Sequence, residues 1–108
     1  MLTRVDKAWG YEEIICNEAE YCAKNLIIAP GKKCSLHYHN LKKETFLVKH
    51  GMVKLEHGIT EFLMPGEQRT ILPGTPHRFS TKLGATILEI STHHYDDDVT
   101  RLEPSGDL

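Results

Sequence analysis

The sequence predicts an all-β domain. Short runs alternate apolar and polar residues, which suits strands with one buried face. Turn residues break these runs at regular intervals. No stretch sustains the apolar period of a helix. Residues 11–16 and 21–28 read as the first strands, with Asn17-Glu18 between them. Pro30-Gly31 then turns the chain, because proline presets φ and glycine accepts positive φ. Further β segments follow at 34–38, 45–49, 52–56, 61–63, 69–72, 78–81 and 85–92. The breaks between them hold Asn40, Gly51, Gly58, Pro65-Gly66, Pro73-Gly74 and Gly84. That rhythm suits a sandwich or a small barrel. Past Thr92 the chain becomes acidic, with Asp96-Asp97-Asp98 and Pro104-Ser105-Gly106, and reads as a strand-poor, solvated tail. The expected organisation is one domain: strands over 1–29, the central barrel over 31–81, and a tail over 93–108.

Composition narrows the function. A chain of 108 residues suits a single domain that hides roughly two-thirds of its unfolded surface. Thirteen basic against 15 acidic residues leave no basic excess for nucleic acid. No apolar run approaches the ~20 residues of a membrane helix. The opening Met-Leu-Thr-Arg-Val-Asp-Lys is not followed by the apolar core of a signal peptide, so a cytoplasmic protein is expected. The 3 cysteines, Cys16, Cys22 and Cys34, form no CxxC and read as reduced, packed thiols.

Seven histidines are many for this length. His37 and His39 sit two apart on a predicted strand and therefore share a face, with Ser35 before them. Cys34, Leu36 and Tyr38 take the other face. Glu44 opens the next strand at the parity of Phe46 and Val48, the apolar one. His77 follows the rigid turn Pro73-Gly74-Thr75-Pro76. Imidazoles and a carboxylate facing a barrel interior are costly unless paired or bound to a cation. The set suits Mn, Fe, Co, Ni, Cu or Zn and leaves exchangeable positions. The plain alternative is that His37 and His39 are surface strand residues and Glu44 a solvated strand end.

The segment from Gly31 through His37, His39 and Glu44 to Gly51 reads G-x5-H-x-H-x4-E-x6-G and resembles the first cupin motif at every position. Gly66, Gly74 and His77 match the second, G-x5-P-x-G-x2-H-x3-N, with Leu72 at its proline and Thr81 at its asparagine. The resemblance implies a double-stranded β-barrel holding one divalent transition metal per chain (Mn, Fe, Co, Ni or Zn) on His37, His39, Glu44 and His77. A finer resemblance covers most of the chain. Trp9, Gly10 and Glu13 match the P-W-G-x-x-E opening of cupins related to type II mannose-6-phosphate isomerase, with Ala8 at the proline. The acidic pair Asp97-Asp98, Arg101 and Glu103 resemble the end of the same group. The chain departs from that group in its longer gap between His39 and Glu44.

That family implies a metal-dependent aldose–ketose isomerase for a sugar or sugar phosphate. Its rivals are an iron-dependent dioxygenase and a sugar-binding module without turnover. Glu89, mid-strand among Ile87, Leu88 and Ile90, either faces solvent or acts as the catalytic base. Arg101 and Lys7 are the cations for a phosphate, each alternatively a solvated charge. Trp9 reads as a packing residue whose ring could stack on a sugar. His93 and His94 read as surface residues. Leu36 and Tyr38, outward from the histidine strand, predict an exposed apolar row and hence a homodimer.

Overall fold

The computed structural model describes residues 2–108 and is built from antiparallel strands. They are β1 (Thr3–Lys7), β2 (Gly10–Asn17), β3 (Cys22–Ile28), β4 (Lys32–Lys33), β5 (Leu36–Tyr38), β6 (Glu44–His50) and β7 (Val53–Glu56). There follow β8 (Thr60–Leu63), β9 (Gln68–Ile71), β10 (Arg78–Thr81), β11 (Ala85–Ser91), β12 (Thr100–Glu103) and β13 (Gly106–Asp107). One sheet has the order β1-β2-β3-β11-β6-β9, the other β13-β4-β10-β7-β8, and β12 pairs with β5 as a separate ribbon. The central strands bury alternate residues, as strands with one face on a core must. Leu26, Ile28, Phe46, Val48 and Ile87 come from the first sheet, and Val53, Leu55, Leu63 and Phe79 from the second. Phe79 joins the layers, with ring centroids 5.1 Å from Trp9 and 6.1 Å from Phe46.

Gly51 turns the chain from the first sheet to the second. Its φ is +76°, and a Cβ there would lie 2.2 Å from the Gly84 carbonyl oxygen. Only glycine meets both conditions, because a side chain there would strain the backbone and collide with it.

Three expectations need correction. The strand expected over 34–38 is broken at Cys34-Ser35 into β4 and β5. The chain leaves the second sheet there, so that β5 can pair with β12. β1 escaped notice because it is an edge strand, polar and largely exposed on both faces, without the alternation that betrays a half-buried strand. The acidic tail is not strand-poor, although most of its side chains are exposed. Arg101 lies opposite His37 in β12, and β13 pairs with β4. Buried Arg78 fastens this segment: Nη1 donates to Glu103 Oε1 at 3.0 Å and Nη2 to the Pro104 carbonyl at 3.0 Å. Backbone pairing depends little on side-chain charge, so acidic composition did not prevent these strands. Because the tail runs along β5, Leu36 and Tyr38 are half-buried rather than an exposed row. Exposed apolar side chains elsewhere include Phe62 of β8 with Ile59 and Met64 at its two ends. No helix among the described residues is long and apolar enough to cross a membrane.

Candidate metal centre

The short strand β5 presents His37, and His39 follows its end. His77 lies just before β10 and bridges to His37 through paired backbone hydrogen bonds: His77 N–H donates to the His37 carbonyl at 2.9 Å and His37 N–H returns the bond at 3.2 Å. Gly74 N–H donates to the His39 carbonyl at 2.6 Å, so the Pro73-Gly74 turn locks the second histidine to the segment of the third. One ring nitrogen from each of His37, His39 and His77 lies within 4.8 Å of the others. Glu44, at the start of β6, points at the same place. Its Oε1 is 2.8 Å from His77 Nε2, and its Oε2 is 3.8 Å from His39 Nε2.

Hydrogen bonds set the tautomers. His37 Nδ1 lies 2.8 Å from the Ser35 carbonyl, His39 Nδ1 2.6 Å from the Asp98 carbonyl, and His77 Nδ1 2.8 Å from the Thr75 carbonyl. A carbonyl only accepts, so each Nδ1 carries a proton, which leaves each Nε2 as the ring atom able to bind a metal at the common centre. Metal-binding histidines are commonly held this way. His77 Nε2 is buried and has no hydrogen-bond partner among the described residues, while Glu44 Oε2 is 3.1 Å from Lys42 Nζ. With His77 neutral, its Nε2 lone pair would face Glu44 Oε1 at 2.8 Å in a buried site, an arrangement that a cation bound by both satisfies. The donor set therefore fits a borderline divalent transition metal.

The electrostatics agree. Burial, then the neighbouring His77, lowers the His37 pKa to about 4, and burial lowers that of His39, so both rings stay neutral at pH 7. Burial alone would raise the Glu44 pKa, but contact with His77 and the charge of Lys42 prevail and hold the carboxylate ionised.

The imidazoles open onto a cavity of about 530 Å³ between the sheets. Its floor holds a charge cluster that sequence reading missed. Lys42 Nζ lies 3.1 Å from Glu44 Oε2, 3.3 Å from Glu89 Oε2 and 3.2 Å from His94 Nδ1. Lys42 lies in the short connection before β6, yet it is 4% exposed. The turn is held by Asp98, whose carboxylate accepts from the backbone N–H groups of Asn40, Leu41 and Lys42 at 2.8, 3.1 and 3.1 Å. Burial disfavours the Lys42 charge, but Glu89 and Glu44 outweigh it and raise its pKa. Glu89 faces the cavity, not solvent. Burial and then the Glu44 charge raise its pKa, with Lys42 opposing. His94 is half-buried on the cavity wall rather than on the surface, and Asn17 grips its backbone in both directions.

The other expected site residues also border this cavity. Trp9 is 7% exposed and packed in the core, with part of its surface in the cavity wall. Lys7 and Arg101 are exposed at the rim, and neither has an ion-pair partner among the described residues. Cys34 also borders the cavity but is not in the group of converging ring nitrogens, and burial pushes its thiol pKa up to about 12.

Two packed antiparallel sheets with imidazoles converging between them define a cupin, a double-stranded β-barrel. More specifically, the chain belongs to the mannose-6-phosphate isomerase C-terminal family, which matches residues 1–104. It is 31% identical to a D-lyxose/D-mannose isomerase of Thermosediminibacter oceani over 120 aligned positions, covering 84% of this chain and 66% of that protein. It is 28% identical to the xanthan biosynthesis protein XanB of Xanthomonas campestris, covering 93% of this chain but only 22% of XanB. The chain thus spans less than two-thirds of either relative. Among solved structures, KdgF from Halomonas sp. superposes with a TM-score of 0.79 at 17% identity, covering 88% of this chain and 89% of that one. CapF from Staphylococcus aureus superposes with a TM-score of 0.82 at 19% identity, covering 95% and 32%. At these identities the likeness concerns the fold.

Proposed function

We propose that the protein is a metal-dependent aldose–ketose isomerase acting on a sugar or sugar phosphate. One observation carries this reading: Glu89, buried and ion-paired to Lys42, borders the same cavity as the converging imidazoles. The family, and the isomerase named among the relatives, supply the sugar. In this reading His37, His39, Glu44 and His77 hold one divalent transition metal, Mn, Fe, Co, Ni or Zn. Bound there, it would polarise a sugar carbonyl and the neighbouring hydroxyl.

The remaining work falls to side chains of the cavity. Glu89 takes the proton from the carbon beside the carbonyl and returns it to the former carbonyl carbon, while the neighbouring hydroxyl gives its proton to the former carbonyl oxygen. Its raised pKa brings it nearer the range of an efficient base at neutral pH. Lys42 holds that carboxylate in place and keeps a fixed positive charge where negative charge grows on the substrate. Arg101 and Lys7 at the rim take a phosphate, which a centre of three neutral imidazoles, one carboxylate and a divalent ion, near +1, offsets only in part.

Turnover of D-mannose and D-mannose 6-phosphate, before and after chelation and with metals restored, tests the proposal. Activity should vanish with the metal and return with it. Isomer formation without oxygen uptake separates this reading from a dioxygenase, and a metal-filled protein inert on sugars would favour a binding module. In the same assay, Arg101→Ala should lower kcat/KM roughly ten- to a hundredfold on the phosphorylated sugar, the loss of about 1.5–3 kcal/mol for a charged hydrogen bond, and leave the neutral sugar nearly unchanged. Equal losses on both would make Arg101 a structural residue. A homodimer belongs to the same proposal, now supported by the exposed Ile59, Phe62 and Met64 rather than by β5. A monomeric mass at micromolar concentration would remove it.

A further inference from the structure

Two lysines are buried in the cavity, and they differ in how their donors are used. Lys42 has three partners, one for each N–H of an ammonium group. Lys24 is 3% exposed, yet among the described residues its Nζ makes one hydrogen bond, a long 3.5 Å contact to Glu12 Oε1. It stands on β3 at the inward parity of Cys22, Leu26 and Ile28, opposite Glu89 of β11. Nothing in the apolar packing of that row requires an ammonium group. A buried charge with spare donors facing a cavity points to an oxygen ligand.

We infer that Lys24 and Glu12 form a second ligand subsite, one that takes neutral hydroxyl groups of a sugar rather than a phosphate. Glu12 lies on β2, borders the same cavity and keeps its side chain 13% exposed, with carboxylate capacity to spare. A hydroxyl both donates and accepts, so it can bridge an ammonium and a carboxylate at once. A phosphate dianion would instead meet the charges of Glu12 and Glu89 on either side of Lys24. An apolar group would leave the ammonium without compensation. The floor of the cavity is thereby divided: imidazoles and Glu44 at one part, a hydroxyl-reading pair at another, with any phosphate left to the rim. The inference rests on the proposed sugar reading and deepens it.

The test uses the whole chain loaded with Zn²⁺, with D-mannose and inorganic phosphate titrated separately by ligand-observed NMR. Lys24→Met should weaken D-mannose binding about tenfold or more, as expected for loss of a charged hydrogen bond, and leave phosphate binding unchanged. Glu12→Gln should weaken D-mannose less and spare phosphate as well. Zn²⁺ content should stay equal in all forms. Wild-type affinity for D-mannose in Lys24→Met, or equal losses for both probes, would overturn the subsite while leaving the sugar reading intact. A wild-type protein that holds Zn²⁺ but binds no D-mannose would overturn the sugar reading and the subsite with it. Should Lys24→Met fail to fold, Lys24→Gln and Glu12→Gln decide the matter by the same comparison.

Discussion

Replacing His37 and His39 together by alanine should abolish metal binding. The pair supplies two of the three imidazoles whose ring nitrogens lie within 4.8 Å of one another. Each has its Nδ1 proton engaged by a backbone carbonyl, so no other atom of the ring is free to compensate. Loss of an outer partner of a metal ligand typically costs 10–100-fold in affinity, and loss of two ligands should exceed that by far. Metal content measured after gel filtration should fall from near one ion per chain to background. A second readout is thermal. An ion at about 100 times its Kd stabilises a folded protein by about 2.7 kcal/mol, so chelation should lower the wild-type Tm and leave that of the double variant unchanged. Near-stoichiometric metal in the double variant would sink the assignment. A variant that retains its fold while losing the ion would show that the barrel core, which lies around Leu26, Val48, Leu55 and Ile87, stands without the centre.

Glu89→Gln should lower kcat by about 10²–10⁴-fold, the usual span for removing a general base, with metal content retained. Glutamine matches the carboxylate in shape, and its carbonyl oxygen can still accept from Lys42, which sits 3.3 Å away in the native protein. KM should therefore change little, so the loss should fall on kcat. The pH profile adds an independent sign. A base acts when ionised, and burial with the Glu44 charge raises the Glu89 pKa above its ordinary value. Wild-type kcat should thus rise with pH through a limb displaced upward from the usual carboxylate range, and that limb should disappear in the variant. Full turnover by Glu89→Gln with the metal in place would move the role of base to another group, of which His94 is the next by position.

Much of the candidate site was legible along the chain because it depends on local geometry. The two-residue period of a strand puts His37 and His39 on one face whatever surrounds them, and the same period puts Glu44 with Phe46 and Val48. A turn rich in proline and glycine before His77 is a local signal too. Lys24 was equally visible in principle: a lysine at the buried parity of Cys22, Leu26 and Ile28 breaks an otherwise apolar row. Lys42 and His94 carried no such mark. Their neighbours in sequence are polar, and each reads as a solvated residue in a connection.

What the sequence by itself determined is therefore the alternation of strands, the turns between them and the face that His37 and His39 share, since these follow from backbone geometry over a few residues. The tertiary structure alone decided that Lys42 was carried inside and that the tail was drawn into strands. Asp98 reaches back across the chain to take the N–H groups of Asn40, Leu41 and Lys42, and so swings Lys42 inward against Glu44 and Glu89. The acidic tail became β12 and β13 by pairing with β5 and β4. A buried ion pair exists only where partners distant in sequence arrive together to offset the cost of leaving water, and no local pattern of residues records that meeting.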